Sequence, residues 1–236
     1  MEKLASFFEG KTISHVLDIG TGAGDFIQLL TGVFSPTTEL TGVDPSEEAL
    51  SEARKKNYPC KVNFVRMEGE NLQFENESFD VVCLSNAMHH LASPEKTFAE
   101  MKRVVKKEGW LVIAEIASDG LNEAQENQKM LHHFKSYVDR KFGVTHRETS
   151  TRAEILETIK QNQIEPVLTF SFNRMAVPVT NPQKLDEWIG NFSDNLSKLK
   201  GFPEYEEKAA LFSLFKERLD RYGFQLAHQI VVVGKK

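Results

Sequence analysis

The sequence predicts an α/β fold in which a parallel sheet is covered by helices on both faces. Three observations predict it. Apolar runs of strand length alternate with amphipathic helical runs through the first half of the 236 residues. The first run, Val16-Leu17-Asp18-Ile19, ends in a glycine turn that opens directly into a helical pattern, Phe26, Ile27, Leu29 and Leu30. A hydrophobic content of 40% is enough to build the core of one large domain.

Taken in order, strands read at 15–19, 39–43, 62–67, 79–85 and 109–116, and helices read near 25–33, 46–57 and 94–106. Pro45-Ser46 starts the second helix, with Glu47 and Glu48 in the first turn, where carboxylates meet the positive end of the helix dipole. Ser93-Pro94-Glu95 starts the third as an N-cap followed by proline at the first helical position. Phe98, Met101, Val104 and Val105 share one face of that helix, and Lys106, Lys107 and Gly109 read as its C-terminal end. Alternation of this kind implies parallel strands with both faces covered.

The second half is richer in helix. Residues 119–141 carry a polar face (Asn122, Glu123, Gln125, Glu126) and an apolar one (Leu121, Met130, Leu131, Phe134). A helix follows at 151–163, a strand at 165–178, two helices within 182–222 separated by Gly201-Phe202-Pro203, and a last strand in the closing run 226–236. The helical stretches 117–150 and 180–222 read as insertions around the last strands. The expectation is therefore a single domain over 1–236, with 1–116 as its cofactor-binding core and the insertions covering a substrate pocket.

A net charge of −5 argues against a large nucleic-acid footprint, which needs a basic face. Cys60 and Cys83 stand in apolar runs without metal-ligand spacing, so buried free thiols are expected and no metal. The first residues lack a signal-peptide core, and no run of about eighteen apolar residues occurs. The expectation is a soluble protein of the reducing cytoplasm, with no membrane partner, as a monomer or homodimer. Trp188, Ile189 and Phe192 are candidates for either a lid or a dimer contact.

The chemistry concentrates in Asp18-x-Gly20-Thr21-Gly22-x-Gly24. Glycine permits φ > 0 and lets a ligand approach the backbone with no Cβ in the way. A phosphate-binding Walker loop would end in GK[ST], which is missing. A dinucleotide fingerprint would place a third glycine where Asp25 stands, and a pyrophosphate would meet both Asp18 and Asp25. S-adenosylmethionine, with a sulfonium, an ammonium and no phosphate, suits these acids better. Asp44, at the end of the second strand in TGVDPS, can accept two hydrogen bonds from a ribose diol or cap the following helix. Glu68, after the third strand, is placed to accept an adenine amine, with Gly69 offering a backbone N–H, but on its residue chemistry alone it reads as a solvated loop acid.

Ser85 to His90 follow the fourth strand, and ligands of open α/β sheets lie beyond the carboxyl ends of strands. His89 and His90 adjoin each other in sequence, an arrangement that rarely converges on one ion, and no third ligand is spaced to join them. His89 and His146 are the candidates for a general base, each set against a plainer role in packing or at the surface. His132-His133 and His146-Arg147-Glu148 lie in the first insertion, as do Phe134, Tyr137 and Phe142, which suit a pocket lining or a helix core.

Together these residues resemble the class I S-adenosylmethionine-dependent methyltransferases, in the type 11 group that includes the ubiquinone/menaquinone biosynthesis enzymes. LDIGTGAGDF is similar to the family's first motif, GVDPS to its second-strand acid, EGENLQFENESFDVV to its adenine segment, and HHLASPEKTFAEMKRVVKKEGWLVIAEI to the stretch through its fifth strand. The resemblance covers about residues 15–116. It implies a Rossmann-like sheet of seven strands with the last strand antiparallel between its neighbours. It also implies S-adenosylmethionine as cofactor and S-adenosylhomocysteine as product. Carried onto this chain, Gly20, Thr21, Gly22 and Gly24 would pack against the cofactor, and Asp18 would help hold its methionine end. Asp44 would bind the ribose with Pro45 against the adenine, Glu68 and Gly69 would meet the adenine edge, and Asn86 would lie near the sulfonium. Two departures are visible: Glu68-Gly69 stands where Asp-Ala is frequent, and few residues precede the first strand.

Methyl transfer from a sulfonium is an in-line displacement. It needs proximity and a dry pocket, and a base only when the acceptor must lose a proton. The expected activity is methyl transfer to a small-molecule acceptor. The alternatives are a cofactor-binding regulatory or scaffold protein without turnover and an NAD-dependent oxidoreductase.

Overall fold

A computed structural model describes all 236 residues. The elements follow as α1 (Glu2–Phe8), β1 (His15–Ile19), α2 (Asp25–Leu30), β2 (Glu39–Asp44), α3 (Glu47–Arg54), β3 (Val62–Arg66) and β4 (Phe79–Ser85). A 3-10 turn (Met88–His90), α4 (Pro94–Val104), β5 (Val105–Ile116), α5 (Glu123–Lys141) and α6 (Arg152–Gln161) come next. The chain ends with β6 (Glu165–Phe172), α7 (Pro182–Ser197), α8 (Tyr205–Tyr222) and β7 (Gln229–Lys235). It divides into two compact units: Met1–Glu115 with Ile155–Phe172 and Ile230–Lys236, and Ile116–Glu154 with Asn173–Gln229. No helix is long and apolar enough to cross a membrane.

The first unit is a seven-stranded mixed sheet in the order β3-β2-β1-β4-β5-β7-β6, with the last strand antiparallel between β5 and β6, as the resemblance implied. The pairs β1–β2, β1–β4, β2–β3 and β4–β5 are parallel. The order reverses direction at β1, so the ends of β1 and β4 flank a switch point, where open α/β sheets bind ligands. Period-2 alternation sends Val16 to one face of the sheet and Leu17 and Ile19 to the other, and all three are buried because both faces are covered. On the Val16 face, Leu4 and Phe8 of α1 join Phe26, Ile27 and Leu30 of α2 and Phe34 in one core cluster. Each such side chain, fully buried, contributes about 1.5–3 kcal/mol. On the opposite face α4 buries Phe98, Met101 and Val104.

A partly exposed polar knot ties the base of the sheet together. Asp80 accepts the backbone N–H groups of Ser14 and His15 at 2.9 Å each and the Lys106 ammonium at 2.6 Å. Burial opposes ionisation of Asp80, but Lys106 and the two amides outweigh it and hold the carboxyl below its usual range.

Several boundaries differ from the sequence reading. Helix α4 stops at Val104, and Val105, Lys106 and Lys107 belong to β5 instead of a helix end. Pairing decides this: Val105 stands opposite Phe79, and the register then shifts before Val81 pairs Trp110. Gly109 sits inside that irregularity, where a Cβ would meet Asp80 O at 2.8 Å, so the glycine serves close backbone approach and not a helix cap. The sixth strand ends at Phe172, short of 178. Helix α1 was not foreseen at all. Of the two free cysteines, Cys83 is buried and Cys60 only half-buried.

The second unit is built on aromatic packing of α5, α7 and α8. Phe192 of α7 stacks on Phe134 of α5 (centroids 4.1 Å, 9°) and lies 4.9 Å from Phe215 of α8. Trp188 stacks on Phe224 at 4.0 Å. Phe192 is thus buried in the core of this unit, with the half-buried Trp188 and Ile189 packed against it. Asn122, read from the sequence as part of the polar face of a helix over 119–141, instead caps α5 in a reciprocal capping box with Gln125. A cavity of about 560 Å³ lies within this unit, and among its lining charges Lys129 pairs with Glu126 and Arg218 with Glu123.

Candidate functional site

The loop between β1 and α2 takes its shape from alternating glycines. Gly20, Gly22 and Gly24 all have positive φ (67°, 53° and 78°), the region that favours glycine. A Cβ at Gly20 would lie 2.6 Å from the Ala87 Cβ, and one at Gly24 would lie 2.5 Å from the Tyr58 hydroxyl. A Cβ at Gly22 would meet nothing within 4 Å, so the loop opens to free space there. Thr21 donates its backbone N–H to Val43 O at 3.0 Å, tying the loop to the second strand.

Asp44 ends β2 beside this loop. Its Oδ2 accepts the Gly22 N–H and its Oδ1 accepts the Ser46 N–H, each at 2.9 Å. The helix cap itself is Ser46, whose hydroxyl accepts from Ala49 N. Each Asp44 oxygen keeps a second lone pair for a hydroxyl donor. Asp18 lies beneath the loop, 1% exposed, and neither carboxylate oxygen has a hydrogen-bond partner in the protein; the buried Thr21 hydroxyl also lacks one. Burial pushes the Asp18 carboxyl up to about 7, the neighbouring Thr21 hydroxyl opposes the shift without making a well-formed bond, and the Asp44 charge adds to it.

Glu68 follows β3 and is exposed, while Gly69 is buried, where a Cβ would meet Ile19 Cγ2 at 2.8 Å. Pro45, Arg66, Met67, Glu68, Asn71 and Gln73 line a cleft of about 250 Å³. Arg103 holds the segment that follows, donating to Leu72 O, Phe74 O and Asn76 Oδ1 at 2.7–2.9 Å. Glu100 pairs with Arg103 and accepts Leu72 N at 2.7 Å. Asn86 leaves β4 with φ 49°, a left-handed conformation that asparagine tolerates, and donates its backbone N–H to Ala114 O at 2.8 Å. This bend carries Ala87 against Gly20.

Glu115, near the end of β5, is a residue the sequence reading missed. It is 2% exposed; its Oε2 accepts the Met88 N–H at 3.0 Å, and its Oε1 meets His89 Nδ1 at 2.8 Å. The signal was present, since the VIAEI run ends a strand of this sheet in an acid. A carboxylate at Nδ1 assigns the proton there and leaves Nε2 as the basic nitrogen of His89. The other base candidate, His146, lies in the second unit, with Nδ1 2.7 Å from Asp139 Oδ2.

The β3-β2-β1-β4-β5-β7-β6 sheet, with a glycine loop after β1 and an acid ending β2, defines the class I methyltransferase fold. Residues 17–113 match the model of a methyltransferase domain. A demethylmenaquinone methyltransferase of Thermotoga maritima is 34% identical over 101 residues, covering 43% of each chain. The match thus spans under half the length of this relative, and of two ubiquinone/menaquinone biosynthesis C-methyltransferases that the chain also matches. Among solved structures, the YcgJ protein of Bacillus subtilis superposes with a TM-score of 0.57 at 21% identity, covering 100% of this chain and 97% of that one. Phosphoethanolamine N-methyltransferase 2 of Haemonchus contortus, solved with phosphomonomethylethanolamine and S-adenosylhomocysteine, gives a TM-score of 0.55 at 19% identity, covering 99% and 51%. Both structural likenesses bear on the fold alone.

Proposed function

We propose that the chain is an S-adenosylmethionine-dependent methyltransferase acting on a small-molecule acceptor. The observation that carries this reading is the Asp44 carboxylate, bonded to the Gly22 N–H of the glycine loop and retaining acceptor capacity on both oxygens. The buried, unpartnered Asp18 carboxylate and the open space beyond Gly22 fit a ligand with a cationic end and no phosphate.

When bound, S-adenosylmethionine supplies a methyl group on a sulfonium, already a good leaving arrangement. The residues of the chain bind and orient. Asp44 accepts the ribose hydroxyls, and Pro45 lies against the adenine. Glu68 and the Gly69 N–H meet the adenine edge, where the longer arm of Glu replaces Asp. Gly20, Thr21, Gly22 and Gly24 present backbone without side-chain bulk. Asp18 lies buried below the loop under the methionine end, where a cationic ligand favours the ionised form of its carboxyl. Asn86 borders the sulfonium side. Where an acceptor must lose a proton, His89, oriented by Glu115, takes it on Nε2. Rate enhancement otherwise comes from proximity and orientation.

Residues 1–116 are the cofactor-binding part of this proposal, and the helical segments 117–150 and 180–222 are where acceptor choice resides. The relatives named demethylmenaquinone methyltransferase make quinone-type acceptors the first to try. Incubation with methyl-labelled S-adenosylmethionine and a panel of quinols, phenols and amines, beside tRNA and protein, is expected to label a small molecule. Label confined to tRNA or protein would overturn the acceptor class. Cofactor binding without turnover on any acceptor would favour a regulatory protein.

A further inference from the structure

The second unit contains a histidine arrangement that the proposed reaction leaves unused. His132 lies on α5, and His146 lies in the loop that follows it. Their Nε2 atoms are 3.2 Å apart, with ring centroids at 4.8 Å and planes at 85°. A collinear approach at that nitrogen separation would hold the centroids further apart, since each ring adds its own radius, so the two nitrogens meet at an angle. His146 is 2% exposed, its Nδ1 is 2.7 Å from Asp139 Oδ2, and Arg140 donates to its backbone carbonyl at 2.8 Å. Lys135 also donates to Asp139 Oδ2, at 2.8 Å.

Asp139 Oδ2 stands against Nδ1 of His146, which assigns the Nδ1–H to that contact and turns the Nε2 lone pair toward His132. A carboxylate behind an imidazole whose other nitrogen faces a second imidazole is the outer-shell arrangement of metal-ligating histidines. Two nitrogens at about 2.0–2.1 Å from a tetrahedral Zn²⁺ stand about 3.3 Å apart, the spacing found here. His133, the next residue, is engaged elsewhere, with Thr149 Oγ1 at 2.9 Å.

We propose that His132 and His146 bind a divalent transition-metal ion through Nε2, with Asp139 as the outer-shell partner and water among the remaining ligands. Such an ion clips the 142–151 loop onto α5. Both proposed ligands, and Asp139 behind them, belong to the second unit. It departs from the sequence expectation of no metal, because sequence spacing does not reveal that the loop returns to α5.

The test uses the full chain, purified without a histidine tag and stripped with a chelator. It is titrated with Zn²⁺ by calorimetry and with Co²⁺ by visible absorption. One ion per chain is expected. His132→Ala and His146→Ala should each weaken binding at least tenfold, and Asp139→Asn by about 10–100-fold. Circular dichroism checks that each variant folds. If an alanine variant does not fold, wild-type protein labelled with ¹⁵N-histidine decides instead: Zn²⁺ should shift the Nε2 signals of His132 and His146. No binding to the wild type, binding unchanged in folded His146→Ala, or unshifted His132 and His146 signals would each overturn the proposal.

Discussion

Gly20→Val is expected to remove S-adenosylhomocysteine binding while leaving a folded but weakened protein. The Gly20 backbone sits at φ 67°, which costs a side-chain-bearing residue about 1–2 kcal/mol. Its new Cβ would lie 2.6 Å from that of Ala87, and overpacking of this kind costs about 1–3 kcal/mol. Relief must come from moving either the β1–α2 loop or the Asn86-Ala87 bend. Moving the loop breaks the Thr21–Val43 and Gly22–Asp44 hydrogen bonds that shape the proposed ribose site. Urea unfolding should show a loss of about 2–4 kcal/mol, within those two costs. Calorimetry should show a loss of affinity greater than tenfold. Gly22→Ala separates the two effects. It carries the strain of φ 53° but meets no neighbour within 4 Å, so stability falls only by that strain, about 1–2 kcal/mol, while a ligand lying on the loop loses its seat. Wild-type affinity in both variants would remove the loop from the site.

Asp18→Asn is expected to stabilise the protein at pH 8 and to leave it unchanged near pH 3. The carboxyl ordinarily ionises at 3.8, and burial raises it to about 7 in the fold. Between those values the native state keeps a proton that the unfolded chain has released, so stability is lost as pH rises through the window. The loss is complete only above the folded value. At about 1.4 kcal/mol per pKa unit, the full swing is about 4 kcal/mol, and the full burial of the group calls for no discount for solvent screening. The amide carries no such charge. The difference between wild type and variant, followed by urea unfolding from pH 3 to pH 8, should grow across this interval and then level off. Parallel profiles would mean that Asp18 keeps an ordinary carboxyl. Holding an unpartnered carboxylate beneath the loop is a cost with no return in the fold itself, which is why it counts toward a ligand with a cationic end.

The cofactor half of the molecule was largely legible in the sequence because its determinants are local. A strand, three glycines and an acid occupy neighbouring positions, and the glycines that permit positive φ in the sequence take it in the fold. The β5 boundary was not legible, because Val105 to Lys107 carry helix-end chemistry and only pairing with β4 draws them into a strand. Helix α1 escaped notice because its 7 residues have no side-chain cap, and its reason for existing is burial of Leu4 and Phe8 in a distant core. Glu115 looked like a strand residue until the bend after β4 brought Met88 and His89 onto it. His132 and His146 are 14 positions apart, and only the return of the loop onto α5 joins them. In each case the missing information was tertiary.

Binding of S-adenosylhomocysteine, measured by calorimetric titration of the wild type beside Asp44→Ala with NAD as the comparison ligand, tests the central claim most directly. The account predicts micromolar binding to the wild type, loss of that binding in a folded Asp44→Ala variant, and no heat with NAD. No binding to the wild type, or undiminished binding when the Asp44 carboxylate is gone, would contradict it.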